Sequence, residues 1–218
     1  MRTAAVLPIK SFARAKRRLG EAVGGGDRQA LVEAMVGDVL EALGAVPAID
    51  EVLVVTAEPL AVRAAEAVGA VVVHDPEDAG QSAAASRGID AALARGAERA
   101  LLVPGDCPAL DPAEVSGLLE VGAGVVIVPD RHGSGTNALA LTPPDAVPPS
   151  FGTGSFARHA AYARAAGATV KVCELPSLGL DVDTPGDLAA LRSALATRPG
   201  GAARTRAVLD RLVPAGAL

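Results

Sequence analysis

Short apolar runs alternate with segments of helical periodicity along almost the whole chain, and this alternation restricts the fold more than any other feature. Short apolar runs bounded by turn residues predict buried strands, and apolar residues repeated at intervals of three and four predict amphipathic helices. The predicted strands are residues 3–7, 51–56, 70–74, 99–104, 124–129, 138–142 and 169–174. The predicted helices are residues 27–44, 59–68, 82–95, 112–120, 153–166, 185–196 and 203–212. This order indicates an α/β fold with a mostly parallel sheet and helices on both faces.

Residues at the ends of the predicted helices suit those positions. Asp27 is a candidate N-cap and Gly44 a candidate C′ residue of the first helix. Gly96 is a natural stop for the third helix, and Thr184 is a candidate N-cap followed by Pro185 at N1.

The composition limits the classes of function. With 218 residues and 50% hydrophobic side chains, we expect one well-packed domain over 1–196 and a weakly helical tail over 197–218. Aromatic residues make up 2% and the net charge is -5, which argues against a nucleic-acid partner. Cys107 and Cys173 are too few for a disulfide framework or a zinc knuckle.

The sequence also predicts no membrane partner. Its apolar runs are too short or too broken by glycine to span a bilayer. Pro8 and Lys10 interrupt the N-terminus, so we do not expect a secretory signal there. We therefore expect a cytoplasmic protein.

A basic segment directly follows the first predicted strand. Five cations fall within nine residues: Lys10, Arg14, Lys16, Arg17 and Arg18. Ligands of open α/β sheets bind at the carboxyl ends of the strands, so this segment is a candidate site for an anion such as a triphosphate. The alternative is a solvated basic loop.

Carboxylates follow two other predicted strands. Asp106 comes directly after the central strand, and Asp181 and Asp183 share one side of an extended segment. Carboxylate oxygens from both loops are suitable ligands for Mg²⁺. The alternative is that Asp106 caps the next turn and that Asp183 and Thr184 cap a helix, although capping and metal binding are compatible.

Two glycine-rich polar loops, 130–137 and 151–155, are further candidates for anion binding, because glycine lets backbone amides approach an anion closely. Neither lies in the context of a dinucleotide fingerprint, and the chain has no P-loop motif. His132 is a candidate substrate contact, whereas His159 is more typical of surface or packing. No base is evident that would make Cys107 a nucleophile.

Several segments together resemble the phosphoenolpyruvate and 2-phospho-L-lactate guanylyltransferases of coenzyme F420 biosynthesis. These segments are LPIKSFARAKRRLG (7–20), GDCPAL (105–110), DRHGSGTNAL (130–139), FGTGSFARH (151–159) and LDVDTPGDL (180–188). They occur in order over residues 3–195, and the first, third and fourth separate this family from the wider nucleotidyltransferases. The resemblance implies a glycosyltransferase-A-like, Rossmann-like nucleotidyltransferase fold.

The resemblance also implies a reaction, transfer of GMP from GTP to a phosphorylated three-carbon acid with release of pyrophosphate, and a magnesium ion to assist it. The implied acceptor site is Thr136, Gly152 and Ser155. The implied GTP site is Leu7, Lys10, Lys16, Gly80, Ser82 and Gly105. The implied metal ligands are Asp106 and Asp183, with Asp181 second, and the implied catalytic residues are Lys10, Lys16, Asp106 and Asp183.

Some alternatives stay open at this point. Many relatives read the base with Gly-Leu-Asn, where this chain has Gly80-Gln81-Ser82, so the role of Ser82 in guanine selection is open. The sequence does not decide between phosphoenolpyruvate and 2-phospho-L-lactate. A nucleotidyltransferase for a molybdopterin or sugar-alcohol phosphate would usually open with Leu-Ala-Gly-Gly, which is absent after the first strand. A non-catalytic nucleotide-binding protein would not need the three carboxylates.

Overall fold

The computed structural model describes residues 1–12, 16, 18–19 and 23–212. Arg14 and Arg17 of the predicted basic segment, and the last part of the tail, lie outside the described residues. The strands are β1 Thr3–Pro8, β2 Glu51–Thr56, β3 Val71–His74, β4 Arg99–Leu102, β5 Val125–Pro129, β6 Thr136–Leu141 and β7 Val170–Val172. The helices are α1 Gly25–Gly44, α2 Pro59–Ala67, α3 Gln81–Ala94, α4 Pro112–Glu120, α5 Ser155–Ala165, α6 Pro185–Thr197 and α7 Ala203–Arg211.

All seven strands form one sheet, in the order β3-β2-β1-β4-β6-β5-β7. The pairs β1–β2, β1–β4, β2–β3 and β5–β7 are parallel. Strand β6 runs antiparallel to its neighbours β4 and β5. The predicted mostly parallel α/β sheet is therefore confirmed.

The direction of β6 follows from the length of the connection before it. Residues 130–135 join β5 to β6, and no helix intervenes. Parallel strands need a crossover of a dozen or more residues, so a connection this short produces an antiparallel pair. As a result, the first residues of β6 lie at the same edge of the sheet as the last residues of β1 and β4.

Helices cover both faces of the sheet, as predicted. Ala5 and Leu7 of β1 face the larger core, which is shared with α1, α2, α4, α6 and α7. Ala4 and Val6 face the second core, which is shared with α3 and α5. This alternation is the period-2 pattern of a strand buried on both sides. Within the described residues, no helix is both long and apolar enough to cross a membrane.

The predicted helix ends are confirmed in some places and wrong in others. Thr184 caps α6 in a reciprocal capping box with Asp187, and Gly96 follows α3 with a φ of 79°. Asp27 is not an N-cap, because α1 already begins after Gly24 and Asp27 lies in its first turn. There its negative charge still favours the positive end of the helix dipole. Gly44 is the last helical residue rather than C′.

Helix α7 packs on α1 and is capped by it. Asp38 of α1 is buried and accepts hydrogen bonds from the backbone N–H groups of Arg204 (3.0 Å) and Thr205 (2.7 Å). These are amides at the N-terminus of α7, which lacks a side-chain cap of its own. The predicted helix over 203–212 is therefore present, and α1 supplies the missing acceptor.

Candidate active site

The carboxyl edge of the parallel strands opens into a cleft of about 850 Å³. Its wall comes from the segments after β1 and β4, the start of β6, the loop before α5 and the segment before α6. Predicted site residues in this wall are Lys10, Lys16, Gly105, Asp106, Thr136, Gly152, Ser155, Asp181 and Asp183. Thr136 reaches the cleft because β6 is antiparallel and begins at this edge.

Three other predicted residues, Leu7, Gly80 and Ser82, are not among those that line the cleft. Leu7 is fully buried in the larger core. Gly80, with a φ of 111°, occupies the N-cap position of α3. The Ser82 hydroxyl accepts a hydrogen bond from the backbone N–H of Phe151 at 2.9 Å, whereas its neighbour Gln81 lines the cleft. Ser82 therefore holds the loop before α5 in place.

A lysine ammonium joins the two acidic loops. Lys16 Nζ donates a hydrogen bond to Asp106 Oδ2 and another, 2.6 Å long, to Asp183 Oδ1. Burial acts to lower the pKa of Lys16, but the charges of Asp106 and Asp183 and the hydrogen bonds to both outweigh it, so the pKa lies above its ordinary value. The ammonium is thus protonated at neutral pH and neutralises part of the carboxylate charge.

Asp181 lies beside this group. Asn137 of β6 donates from Nδ2 to Asp181 Oδ1 (3.1 Å) and to the carbonyl of Leu178 (2.8 Å). Burial, and then the charge of Asp106, raises the pKa of Asp181 above its usual value. Asn137 therefore fixes the direction of a carboxylate that is electrostatically coupled to Asp106.

The carboxylates of the cleft suit a divalent cation in number and chemistry. Asp106 Oδ1 is buried and has no hydrogen-bond partner, while Asp106 and Asp183 already converge on one positive charge. Two carboxylates, completed by phosphate oxygens and water, suit Mg²⁺. Among the residues that the structure describes, no three acidic, His or Cys side chains are grouped closely enough to hold a metal on their own. Ligation by Asp106, Asp183 and Asp181 stays a prediction.

Arg158 of α5 stabilises the loop before α5 through hydrogen bonds. The guanidinium of Arg158 donates to the hydroxyl and the carbonyl of Ser150, both at 2.9 Å, and to the carbonyls of Phe151 and Thr153. Gly152, with a φ of 102°, allows the turn that follows. The Ser155 hydroxyl, at the N-terminus of α5, is buried in the cleft wall without a hydrogen-bond partner.

The loop 130–135 is held by its own carboxylate and by an ion pair. Asp130 Oδ1 accepts the backbone N–H groups of His132 (3.1 Å) and Ser134 (2.9 Å). Arg131 pairs with Asp187 at the start of α6. Together these contacts tie the loop between β5 and β6 to the segment that carries Asp183.

The structure also places the histidines and the cysteine that the sequence singled out. His132 lines the cleft. Cys107 is fully buried, and burial, followed by the charge of Asp106, raises the pKa of its thiol, so it is a protonated core residue. His159 is fully buried and hydrogen-bonded to Thr136, so it is not a surface residue. Its position four residues after Ser155, on the same helix face, is a sequence signal that could have placed it near the cleft.

Solved structures that share this fold include a sugar-nucleotide transferase and a nucleotidyltransferase. A protein from Desulfovibrio desulfuricans G20 described as a nucleotide-diphospho-sugar transferase superposes with a TM-score of 0.76 at 19% identity, covering 97% of each chain. CMP:2-keto-3-deoxy-manno-octonic acid synthetase, solved with CTP, gives a TM-score of 0.60 at 17% identity over 90% of this chain and 99% of that one. These likenesses show the fold.

Sequence comparison then gives the family. The family model described as "Guanylyl transferase CofC like" matches residues 3–193, so the chain belongs to the CofC-like guanylyl transferase family. A phosphoenolpyruvate guanylyltransferase from Conexibacter woesei is 51% identical over 98% of this chain and 97% of its own. One of the same name from Streptomyces coelicolor is 40% identical over 97% of both chains. The resemblance stated from the five motifs is confirmed.

Proposed function

We propose that this chain transfers GMP from GTP to phosphoenolpyruvate and releases pyrophosphate, a step of coenzyme F420 biosynthesis. An oxygen of the acceptor phosphate attacks the α-phosphorus of GTP, and the bond from that phosphorus to the β-phosphate oxygen breaks. The relatives named phosphoenolpyruvate guanylyltransferase favour this acceptor over 2-phospho-L-lactate. The convergence of Lys16, Asp106 and Asp183 in one cleft carries the proposal.

On this proposal the donor lies on the β1 and β4 side of the cleft. Lys10 and Lys16 neutralise the triphosphate, and the half-buried Gly105, which lines the cleft, borders it. Direct contacts of Leu7, Gly80 and Ser82 with GTP stay predictions, since none of the three lines the cleft.

Asp106 and Asp183, with Asp181 beside them, would hold Mg²⁺, which supplies positive charge to the phosphates when it is bound. The Lys16 side chain is buried between the acidic loops, so its ammonium adds a further positive charge next to the phosphates. These residues reduce the repulsion between two polyanionic substrates.

The acceptor lies on the β6 and α5 side. The Thr136 and Ser155 hydroxyls and the backbone at Gly152 orient it by binding its anionic oxygens. The acceptor phosphate is already ionised and needs no general base, so catalysis consists of alignment and charge stabilisation.

The direct test is product mass spectrometry with GTP, MgCl₂ and both acceptors in competition. We expect pyrophosphate release and a product in which GMP is joined to phosphoenolpyruvate through a diphosphate. CTP in place of GTP is the donor control. A product formed only with 2-phospho-L-lactate would correct the acceptor. Turnover only with another phosphorylated acceptor would favour a different nucleotidyltransferase, and GTP binding without turnover would indicate a non-catalytic protein.

A further inference from the structure

His159 of α5 uses both of its ring nitrogens behind the cleft wall. Its side chain is fully buried. Nε2 lies 2.8 Å from the backbone nitrogen of Ser150, and Nδ1 lies 3.0 Å from Oγ1 of Thr136. The ring also packs edge-on against Phe151, with 5.3 Å between ring centroids. This side chain thus connects the loop before α5 to the first residue of β6.

The two contacts determine which nitrogen carries the proton. A backbone N–H can only donate, so Nε2 must accept from Ser150 and must be unprotonated. A neutral ring with a bare Nε2 carries its proton on Nδ1, and this N–H donates to Thr136 Oγ1. Burial, and then the charge of Arg158, lowers the pKa of His159 to about 4, which is consistent with a neutral ring.

The direction of this hydrogen bond decides what the Thr136 hydroxyl can do. Oγ1 already accepts from His159, so its own proton turns away from the ring. Thr136 lines the cleft, so this proton is available to an oxygen of a ligand bound there. A donor held in one orientation before the ligand arrives binds an anionic oxygen more strongly than a freely rotating hydroxyl.

We propose that His159 is a positioning residue that holds the Thr136 hydroxyl as a hydrogen-bond donor to an anionic oxygen of the acceptor. This inference rests on the proposed function, which places the acceptor at Thr136. On this inference His159 does not touch the acceptor. It nevertheless makes the site select an unprotonated oxygen rather than a hydrogen-bond donor.

The tautomer can be tested without substrate. The chain has three histidines, so long-range ¹H–¹⁵N spectra of the uniformly labelled full chain contain three imidazoles, and the His159→Gln variant identifies the buried one. We expect the Nδ1–H tautomer for His159 at pH 7. An Nε2–H tautomer or a charged ring would overturn the proposal.

Kinetics then test whether His159 acts through Thr136. Asn places an amide near the position of Nδ1, whereas Gln places it near Nε2, so the two variants separate the two hydrogen bonds. We expect His159→Gln to raise the acceptor KM about tenfold and to change the GTP KM less than about twofold. His159→Asn should restore most of the acceptor affinity, and thermal unfolding would confirm that both variants fold.

A double-mutant cycle completes the test. In a Thr136→Val background no hydroxyl remains to be oriented, so His159→Gln should change the acceptor KM less than about twofold further. A full effect of His159→Gln in that background, or an equal rise in the GTP KM, would overturn the positioning role. Absence of acceptor-dependent turnover in the wild-type chain would overturn the proposed function and the acceptor role with it, whereas the tautomer result stands independently.

Discussion

The ammonium nitrogen of Lys16 lies 2.6 Å from a carboxylate oxygen of Asp183, although the two are 167 positions apart in the chain. The same nitrogen contacts Asp106, so three loops meet at one positive charge. The Lys16 ammonium therefore lies between the two acidic loops, where the proposed function requires positive charge. This arrangement leads to the first prediction.

Replacing Lys16 by Met should make the protein more responsive to Mg²⁺. The variant leaves Asp106 and Asp183 without their shared counter-charge, so the metal no longer competes with the ammonium. We expect added MgCl₂ to raise the Tm of Lys16→Met by about 2–4 °C more than that of the wild type, which corresponds to ~1 kcal/mol. Lys171→Met, on the exposed face of β7, is the control. Equal Mg²⁺ responses in all three proteins would contradict competition at this site.

Asp106→Asn should lower turnover by two orders of magnitude or more, on the order of 3 kcal/mol of transition-state stabilisation, with the fold intact. The change removes a carboxylate charge from the end of the central strand while keeping its shape. Pyrophosphate release measured over a range of MgCl₂ checks this. Asp90→Asn, an exposed residue of α3 outside the cleft wall, should behave as wild type. Retained Mg²⁺-dependent activity in Asp106→Asn would refute the metal assignment.

Ser155→Ala should weaken acceptor binding without a cost in stability. Its hydroxyl is buried without a partner, so its removal should leave the free energy of unfolding unchanged or raise it by up to about 1 kcal/mol. The acceptor KM should rise more than the GTP KM, and an equal rise in both would remove Ser155 from the acceptor site.

Ser177→Ala is the matched stability control, because this equally buried hydroxyl donates to Glu114 at 2.7 Å and accepts from the backbone N–H of Asp111. It should lose about 1–3 kcal/mol in urea unfolding.

Stability should fall on mild acidification because of His159. Its pKa is about 4 in the folded chain and about 6.5 when unfolded, so between these values the unfolded chain binds more protons. The contribution of His159 is complete above about pH 6.5 and is lost as pH falls toward about 4, by about 2 kcal/mol between pH 7 and pH 5. Urea unfolding at both pH values should show that the free energy of unfolding falls less in His159→Gln than in the wild type. His74→Gln, at the exposed end of β3, is the control and should lose as much as the wild type. Identical losses for all three proteins would contradict this effect.

Gly88 marks the place where α3 touches the sheet. A Cβ there would lie 2.3 Å from Cγ1 of Val6 and 2.9 Å from Cγ2 of Val55. Gly88→Ala should therefore destabilise the protein by about 1–3 kcal/mol through overpacking. Gly117→Ala, in the exposed middle of α4 with open space at the Cβ position, should instead gain about 0.5–1 kcal/mol. Thermal unfolding of the two variants should give Tm shifts of opposite sign.

Local patterns predicted the elements, because each strand and helix is set by residues close in sequence. The N-cap at Thr184 is of this kind. The first helix was placed less well, because Gly24 is itself a favourable N-cap and the helix starts before Asp27.

Contacts between distant loops were harder to predict. The sequence predicted that Lys16 binds a triphosphate. It did not predict the ion pairs of Lys16 with Asp106 and Asp183, because these join residues far apart in the chain. The roles of Asn137 and His159 were missed, since each depends on a partner set by the order of strands in the sheet. Pattern alone gives neither that order nor those partners.

Because β6 is reversed, the two proposed subsites of the cleft come largely from different parts of the sequence. Apart from Asp181 and Asp183, the side chains proposed to hold GTP and the metal all precede residue 107, whereas those proposed to hold the acceptor fall between residues 130 and 160. One contiguous stretch can therefore diverge, or be grafted from a relative, and change the acid that is used while the nucleotide half stays intact. On the proposed function, a change of acceptor would need changes only in the β5–β6 hairpin and in α5.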